Sequence, residues 1–236
     1  MLRTHRLTLA VACLLLLNGT SQAATITLNT IDRGWYDATG LHLPFIDNYV
    51  AGTDFSPEHR NFLIFDPTGL GTILSAQLRL FNPAVRPGYA SADASETYTV
   101  FDVSTSISSL IGGTGGVGAF DDLGSGTTYG SVATSAADNG TFVEITLNSD
   151  ALTALNSASG LFAFGGALTT LNSGGETEYV FGFTDTGDPM STQLVLNTIP
   201  EPSTLLLVGT GLVGAVLARC ARRRRHRKES TRLIGT

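Results

Sequence analysis

ILSAQLRLFN, at residues 73–82, is the stretch of this chain that decides its fold. Leu78 and Leu80 lie two positions apart, and the charged Arg79 stands between them. Successive side chains of a β-strand point to opposite faces of a sheet, so this order predicts one buried and one solvated face. Residues 141–147 alternate in the same way. The period of two, rather than 3.6, is typical of antiparallel sheets with one wet face.

Eight stretches in all have the composition of strands, with β-branched and aromatic residues bounded by turn-forming residues. They are residues 24–29, 61–65, 73–82, 97–103, 141–147, 161–164, 178–183 and 193–197. A single helix is predicted, capped by Ser149-Asp150 and ending near Asn156. The pattern predicts an all-β fold, a β-sandwich of jelly-roll type.

The N-terminus has the parts of a secretory signal peptide. Positive residues precede an apolar run at residues 7–17, and Ser21-Gln22-Ala23 then supplies small residues at the positions that signal peptidase reads. We predict a signal peptide over residues 1–23, with cleavage after Ala23. The apolar run is too short to span a bilayer stably, so the segment is predicted to direct export rather than to anchor the protein.

The C-terminal region combines a proline motif, an apolar run and a basic block. Pro200-Glu201-Pro202 predicts a stiff extended segment, because each ring fixes φ and disfavours helix in the residue before it. Residues 205–218 carry no charge and predict a short membrane helix. The arginine-rich block at residues 222–228 is expected to stay in the cytoplasm, which leaves the preceding domain outside.

This order of motif, span and basic block resembles the PEP-CTERM sorting signal of bacteria. The corresponding parts of segment 198–228 are the motif Pro200, Glu201 and Pro202, the membrane helix 204–218 and the basic block 219–228, followed by a tail 229–236 without an assigned role. The resemblance implies cleavage near the motif by an exosortase, a polytopic membrane protease with a cysteine nucleophile. It also implies transient residence in the inner membrane of a Gram-negative-type bacterium, then the cell surface or the extracellular matrix of a biofilm.

A plain single-span anchor is the alternative interpretation of the tail. A full span needs roughly 20 apolar residues. The segment from Ser203 to Ala221 reaches that length only if Arg219 extends its side chain to the membrane surface. The short run therefore favours a processed signal.

The segment between the two targeting regions, residues 24–197, is the predicted ectodomain. It contains no cysteine, since Cys13 and Cys220 lie in the targeting segments. About 175 residues are enough to bury a core as one domain without disulfides. Four arginines and no lysine stand against eighteen acidic residues, which gives a net charge of −14. This charge argues against nucleic acid and anionic lipid as partners.

Residues 73–81, a polar loop and residues 97–103 resemble the strands of exported bacterial jelly-roll modules, which are similar to carbohydrate-binding domains. Aromatic rings stack on the apolar faces of sugars, while polar groups bond the hydroxyls. The glycan-binding candidates are Trp35, Tyr36, Asp37 and Tyr49, in a region that also holds Arg33, Asp47 and Asn48. Exopolysaccharide is the expected ligand class. The alternative is that Trp35 and Tyr36 close one end of the sandwich, since tryptophan is highly buried on average.

Calcium is the cofactor for which the loops offer ligands. Asp121 with Asp122, and separately Asp185 with Asp188, put hard carboxylate oxygens where backbone carbonyls can complete a coordination shell. Their spacing does not match an EF-hand loop. Turn formation is the competing explanation, because turns require Asp, Gly and Pro.

Catalytic motifs are lacking in the predicted ectodomain, which has neither Gly-x-Ser-x-Gly nor His-Glu-x-x-His. His42 and His59 are its only histidines, and nothing marks either as part of a Ser/His/Asp triad. Carboxylate pairs such as Asp37 with Asp47 suit glycoside hydrolysis, but every acidic surface contains such pairs. We therefore expect a non-catalytic surface or matrix protein. An extracellular glycan-active hydrolase with an unrecognised site is the alternative.

Overall fold

Strands dominate the part of the chain that a computed structural model describes, residues 23–54, 57–84, 88–172, 176–182 and 189–199. These residues belong to one compact unit, Ala23–Ile199. The strands pair antiparallel. They are β1 (Ala24–Asn29), β2 (Asp32–Asp37), β3 (Ala51–Thr53), β4 (His59–Phe65), β5 (Thr72–Asn82), β6 (Glu96–Phe101), β7 (Thr128–Thr134), β8 (Thr141–Thr146), β9 (Phe162–Leu168), β10 (Glu178–Val180) and β11 (Thr192–Ile199).

The first sheet has the order β1-β11-β5-β8, so β5 lies between β11 and β8. Its inner face is apolar: Leu78 of β5 pairs with Leu194 of β11 and Ile145 of β8, and all three are fully buried. Arg79 points away from this core, and its Nε lies 3.0 Å from Oε1 of Glu144. The alternation predicted for this strand is confirmed.

The second sheet has the order β10-β3-β4-β9-β6-β7, and β2 pairs with β4 beside this path. The sequence pattern does not predict β2, β3 or β7. β2 reads DRGWYD and β7 reads TYGSVAT, so neither has a regular apolar alternation, and β3 has only three residues. These segments become strands because β4, β6 and β10 offer them backbone hydrogen-bond partners.

The two sheets pack on a shared hydrophobic core. Leu78 and Leu194 reach it from the first sheet, and Leu63, Tyr98 and Phe164 reach it from the second. Each fully buried side chain of this size contributes about 1.5–3 kcal/mol relative to an exposed one. The expected all-β class is confirmed, and the core holds the fold without cysteines.

Three short helices lie between the strands of the described residues: α1 (Ile107–Ile111), α2 (Gly116–Asp122) and α3 (Ser149–Ser157). α3 is the helix that the sequence predicts. Its cap is Asn148, whose side-chain oxygen accepts from the N–H groups of Asp150 and Ala151. The prediction of Ser149-Asp150 as the cap is therefore wrong by one position, because Asn148 already has the extended backbone of a cap residue.

The helices α1 and α2 contradict the prediction of a single helix. Both span fewer than three turns, and α2 begins with Gly-Val-Gly, so neither shows an apolar period of 3.6. They are stabilised by tertiary packing, since Leu110 and Phe120 join Tyr36 and Phe62 of the second sheet in a separate apolar cluster.

None of the helices among the described residues has the length and apolar composition of a membrane span. The predicted signal peptide up to residue 22 and the predicted membrane helix at 204–218 lie outside the described residues.

Candidate functional site

The predicted sorting motif, Pro200-Glu201-Pro202, lies outside the described residues and directly follows the last of them. That last residue, Ile199, ends β11, which is hydrogen-bonded to β1 on one side and β5 on the other. The motif therefore follows an interior strand of the first sheet without an intervening loop. Ala23, the predicted end of the signal peptide, is exposed and immediately precedes β1.

Trp35 on β2 is the predicted sugar contact that keeps exposed surface. Its side chain is half-buried, and Nε1 donates to Oδ1 of Asn48 at 2.6 Å. The ring of His59 meets the indole edge-on, with ring centroids 4.5 Å apart. These two contacts fix the orientation of the indole, and the residue keeps part of its surface exposed.

Tyr36 and Tyr49, two further predicted sugar contacts, are fully buried. The Tyr36 hydroxyl donates to the carbonyl of Ser109 at 2.7 Å and ties β2 to α1. The Tyr49 hydroxyl donates to the carbonyl of Phe81 at 2.8 Å, and its ring packs 5.7 Å from that of Phe181. Neither tyrosine presents a ring face to a sugar in this arrangement. Tyr36 belongs to the separate apolar cluster with Leu110 and Phe120, and Tyr49 belongs to the shared core, so both rings contribute to packing.

Asp37, the fourth predicted sugar contact, is buried at the end of β2. Its Oδ1 accepts hydrogen bonds from the N–H groups of Thr39 at 2.8 Å and Leu41 at 3.0 Å. Burial raises the pKa of Asp37, but the hydrogen bonds from Thr39 and Leu41 outweigh it, so the net shift is downward. Asp37 faces His59 across the β2–β4 pair, and burial lowers the pKa of that imidazole. The carboxylate therefore closes the turn after β2.

Arg33 and Asp47, which belong to the same early region, are in contact, and the Arg33 side of this contact is buried. Arg33 is 3 % exposed, and its Nε donates to the backbone carbonyl of Asp47 at 2.8 Å. Its Nη1 donates to the side-chain hydroxyls of Ser191 and Thr192 at the start of β11. The guanidinium thus joins the two sheets, which is a structural role for a residue in the predicted glycan region.

The predicted calcium ligands Asp121 and Asp122 differ in their exposure and in their recorded contacts. Asp122 accepts hydrogen bonds from Ser104 N–H at 2.9 Å and from Thr105 N–H at 2.7 Å, and from the hydroxyls of both residues. Burial raises the pKa of Asp122, but these hydrogen bonds outweigh it and lower the pKa overall. Asp121 is exposed. Asp185 and Asp188 lie outside the described residues, so calcium at these four positions stays a prediction.

Three other acidic side chains do converge, and we call Asp93, Glu96 and Glu178 the carboxylate group. One oxygen from each lies within 4.8 Å of the others. Glu96 begins β6 and Glu178 begins β10, and both are 0 % exposed. Asp93 lies in the loop before β6 and is exposed. Oxygen-only donor sets of this kind suit calcium or magnesium.

Neutral donors surround the carboxylate group. Glu96 accepts from the hydroxyl of Ser91 at 2.7 Å and from that of Thr170. Glu178 accepts from the backbone N–H of Asn172 at 2.7 Å and from its side-chain amide at 2.6 Å. The ion pairs formed within the described part of the chain involve other carboxylates. Among the described residues, the donors to these two fully buried acids are therefore uncharged groups.

The carboxylate group affects the pKa of the neighbouring Tyr89. The Tyr89 hydroxyl donates to the backbone carbonyl of Asp93 at 2.8 Å. Burial raises the pKa of Tyr89, and the negative charges of Glu96, Asp93 and Glu178 raise it further. The three carboxylates therefore lie close enough to Tyr89 to disfavour the ionisation of its hydroxyl.

Sequence reasoning missed this group because Glu178 is distant in the chain from the other two members. One signal was available. Glu96 lies two positions before Tyr98 and four before Val100, and both of these side chains face the core. Because residues two apart on a strand share a face, the alternation of β6 places the acidic side chain of Glu96 on the apolar face. Acidic residues are almost never fully buried unless they are paired, so the position of Glu96 on the core-facing side of β6 indicates a special site.

Comparison with known protein families addresses the C-terminal region. Residues 198–224 match the family model of the PEP-CTERM protein-sorting motif. The match confirms that the C-terminal segment resembles the PEP-CTERM sorting signal. Such a motif marks a protein that is exported, held transiently in the membrane and sorted by an exosortase to the cell surface. Comparison with curated proteins finds no match.

Proposed function

Because the chain carries a PEP-CTERM sorting motif, we propose that it is a non-catalytic protein of the cell surface or of a biofilm matrix. In this proposal signal peptidase removes residues 1–23, and residues 204–218 hold the chain in the inner membrane of a Gram-negative-type cell until exosortase acts. The ectodomain is a β-sandwich of jelly-roll type, and its ligand class is exopolysaccharide.

The match over residues 198–224 is the observation that carries the sorting part of this proposal. The position of the motif supports it. The first sheet is complete at Ile199, one residue before the motif begins, so cleavage at or after the motif leaves β11 intact. The product is then the whole folded domain, free of its membrane helix.

Glu201→Ala tests the sorting step. We expect the variant to be exported but to keep its C-terminal segment and to remain in the membrane fraction, because the protease no longer reads its motif. The measurement is the size and fractionation of the protein in the native host and in a host that lacks the exosortase. The wild-type chain should be shortened only in the first host.

Glu229→Ala is the matched control, because Glu229 is an acidic residue on the far side of the basic block. This variant should be processed like the wild type. If the wild-type chain keeps its C-terminal residues in both hosts, the tail is a plain anchor and the sorting proposal fails.

Trp35 is the residue through which the exopolysaccharide proposal is tested, because its ring combines exposed surface with a fixed orientation. We expect the protein to bind polysaccharides on a glycan array without degrading them. Trp35→Ala should reduce binding about two- to tenfold, since aromatic stacking supplies roughly 0.5–1.5 kcal/mol per ring. Leu74→Ala removes an exposed apolar side chain from β5 and should leave binding unchanged. Turnover of any polysaccharide would instead favour the hydrolase.

A further inference from the structure

We propose that the carboxylate group binds a divalent cation, calcium, with the Thr134 hydroxyl as a further ligand. The site lies where β6, β7 and β10 begin or end, and it differs from the loop positions that the sequence pattern suggests. It goes beyond the sorting function, which does not depend on it.

The spacing of the three carboxylates fits one ion. Calcium lies about 2.3–2.6 Å from each oxygen ligand, so two oxygens on opposite sides of it are separated by roughly 5 Å at most. One oxygen each from Asp93, Glu96 and Glu178 satisfies this limit, since all lie within 4.8 Å of one another. The exposed Asp93 provides a path from solvent to the two buried glutamates.

The charge of the group calls for a positive partner. Two carboxylates that are both 0 % exposed lose their hydration, and this cost is high unless a cation or a proton offsets it. In the described residues, the arginines that form ion pairs do so with Asp47, Glu58 and Glu144. A bound calcium ion would offset two of the three negative charges of the group, whereas a shared proton would offset only one.

The oxygens of the two glutamates keep free acceptor capacity. Each carboxylate has about four lone-pair positions, and the hydrogen bonds described above use two on Glu96 and two on Glu178. The remaining lone pairs are available to a metal ion. The Ser91, Thr170 and Asn172 donors then act as the second layer that orients the ligands.

Thr134 supplies an independent observation that points to the same place. Its side chain is 0 % exposed, and its Oγ1 has no hydrogen-bond partner among the described residues. Thr134 pairs directly with Glu96 across β6 and β7, so both side chains lie on the same face with Cβ atoms about 4.5–5.5 Å apart. A buried hydroxyl without a partner is costly, and coordination of a cation beside Glu96 would satisfy it.

Calcium titration of the full chain in detergent tests the proposal, after treatment with EDTA and dialysis. An extracellular calcium site with a dissociation constant of about 0.1–1 mM should raise the melting temperature by roughly 3–10 °C at 10 mM calcium. Sodium chloride at matched ionic strength should raise the melting temperature clearly less, because it only screens the repulsion among acidic side chains. Calorimetry should show saturable binding of one ion. No saturable binding, or an equal rise with sodium chloride, would overturn the proposal.

Variants locate the site. Glu178→Gln and Asp93→Asn each remove one ligand charge, and each should weaken calcium binding at least tenfold. Asp93 is exposed, so its variant should fold even if Glu178→Gln does not. Calcium binding that persists in Asp93→Asn but is lost in Asp121→Asn would place the ion at the end of α2. That result would overturn the assignment to the carboxylate group.

Thr134→Val separates coordination from stability. It removes an unpaired hydroxyl and keeps the shape, so without calcium the melting temperature should stay the same or rise, while calcium affinity should fall several-fold. Thr198→Val is the matched control, because Thr198 is also fully buried and its Oγ1 also has no hydrogen-bond partner in the described residues. Equal calcium affinity in Thr134→Val and wild type would remove Thr134 from the site.

Discussion

Asp122 shows how a residue that looks like a metal ligand can instead organise a loop. Its carboxylate ends α2 and accepts four hydrogen bonds from Ser104 and Thr105, which precede α1. The C-terminus of a helix is an unfavourable place for an anion, so these bonds are needed to stabilise the charge there. They join the segments that bracket both short helices.

Asp122→Asn should lower the free energy of unfolding by about 1–2 kcal/mol at pH 7, because an amide cannot accept all four bonds. The hydrogen bonds lower the pKa of Asp122 below its usual value near 3.8. The carboxylate therefore contributes its stability above about pH 4, and this contribution is lost as pH falls through the lowered pKa. The difference between wild type and variant should shrink accordingly in urea unfolding measured from pH 7 to pH 2.

The exposed Asp121 provides the comparison for this experiment. Asp121→Asn should change the free energy of unfolding by less than about 0.5 kcal/mol. A variant of Asp122 that unfolds like the wild type across the whole pH range would show that the four hydrogen bonds contribute nothing.

At the level of elements, β11 connects the folded domain to the sorting motif. The sequence pattern predicts a strand over residues 193–197, whereas β11 continues to Ile199. Thr198 pairs with Ile73 and with Ala24, after an irregularity between Asn197 and Thr198. The pattern misses these two residues because they stand directly before the Pro-Glu-Pro motif, which was assigned to the C-terminal signal.

A domain that ends at Asn197 should be less stable than one that ends at Ile199, by about 1–2 kcal/mol. The shorter form loses the buried Thr198 and part of the apolar contact of Ile199 on an interior strand. Urea unfolding of the two forms gives the difference. A third form that starts at Thr25 lacks only the exposed Ala24 of an edge strand and should unfold like the longer form. Identical midpoints for the two C-terminal forms would show that β11 is complete at Asn197.

The helices and strands also show how far local pattern reaches. Strands with clear alternation, such as β5 and β8, are predicted almost to the residue. β7 and α2 are not, because Gly, Ser and Thr carry little apolar signal, and only pairing with β6 or packing near Tyr36 determines their structure. The carboxylate group could not be predicted either, because β6 and β10 come together only when the chain folds.

For the whole molecule, stability rests on one apolar core beneath a strongly acidic surface. The shared core joins both sheets, and both cysteines lie outside the described unit. A net charge of −14 over residues 24–197 keeps the domain soluble but adds self-repulsion.

The isolated domain from Ala24 to Ile199 should be soluble, with a circular dichroism spectrum dominated by β-structure. Its melting temperature should not change with a reducing agent, because it has no disulfide to lose. It should rise modestly as sodium chloride is added up to 0.15 M, because salt screens the repulsion among acidic side chains. A predominantly helical spectrum or a reductant-sensitive transition would contradict this description.

The sequence by itself determined the properties that depend on neighbouring residues. Alternation along β5 and β8 set the all-β class, and the order of proline motif, apolar run and basic block identified the sorting signal. Only the tertiary structure decided which polar and aromatic residues are accessible. It buried Tyr36 and Tyr49, directed Asp122 into a loop, and brought Glu96 beside Glu178. The physical reason is that burial and convergence depend on partners distant in the chain, which no local pattern records.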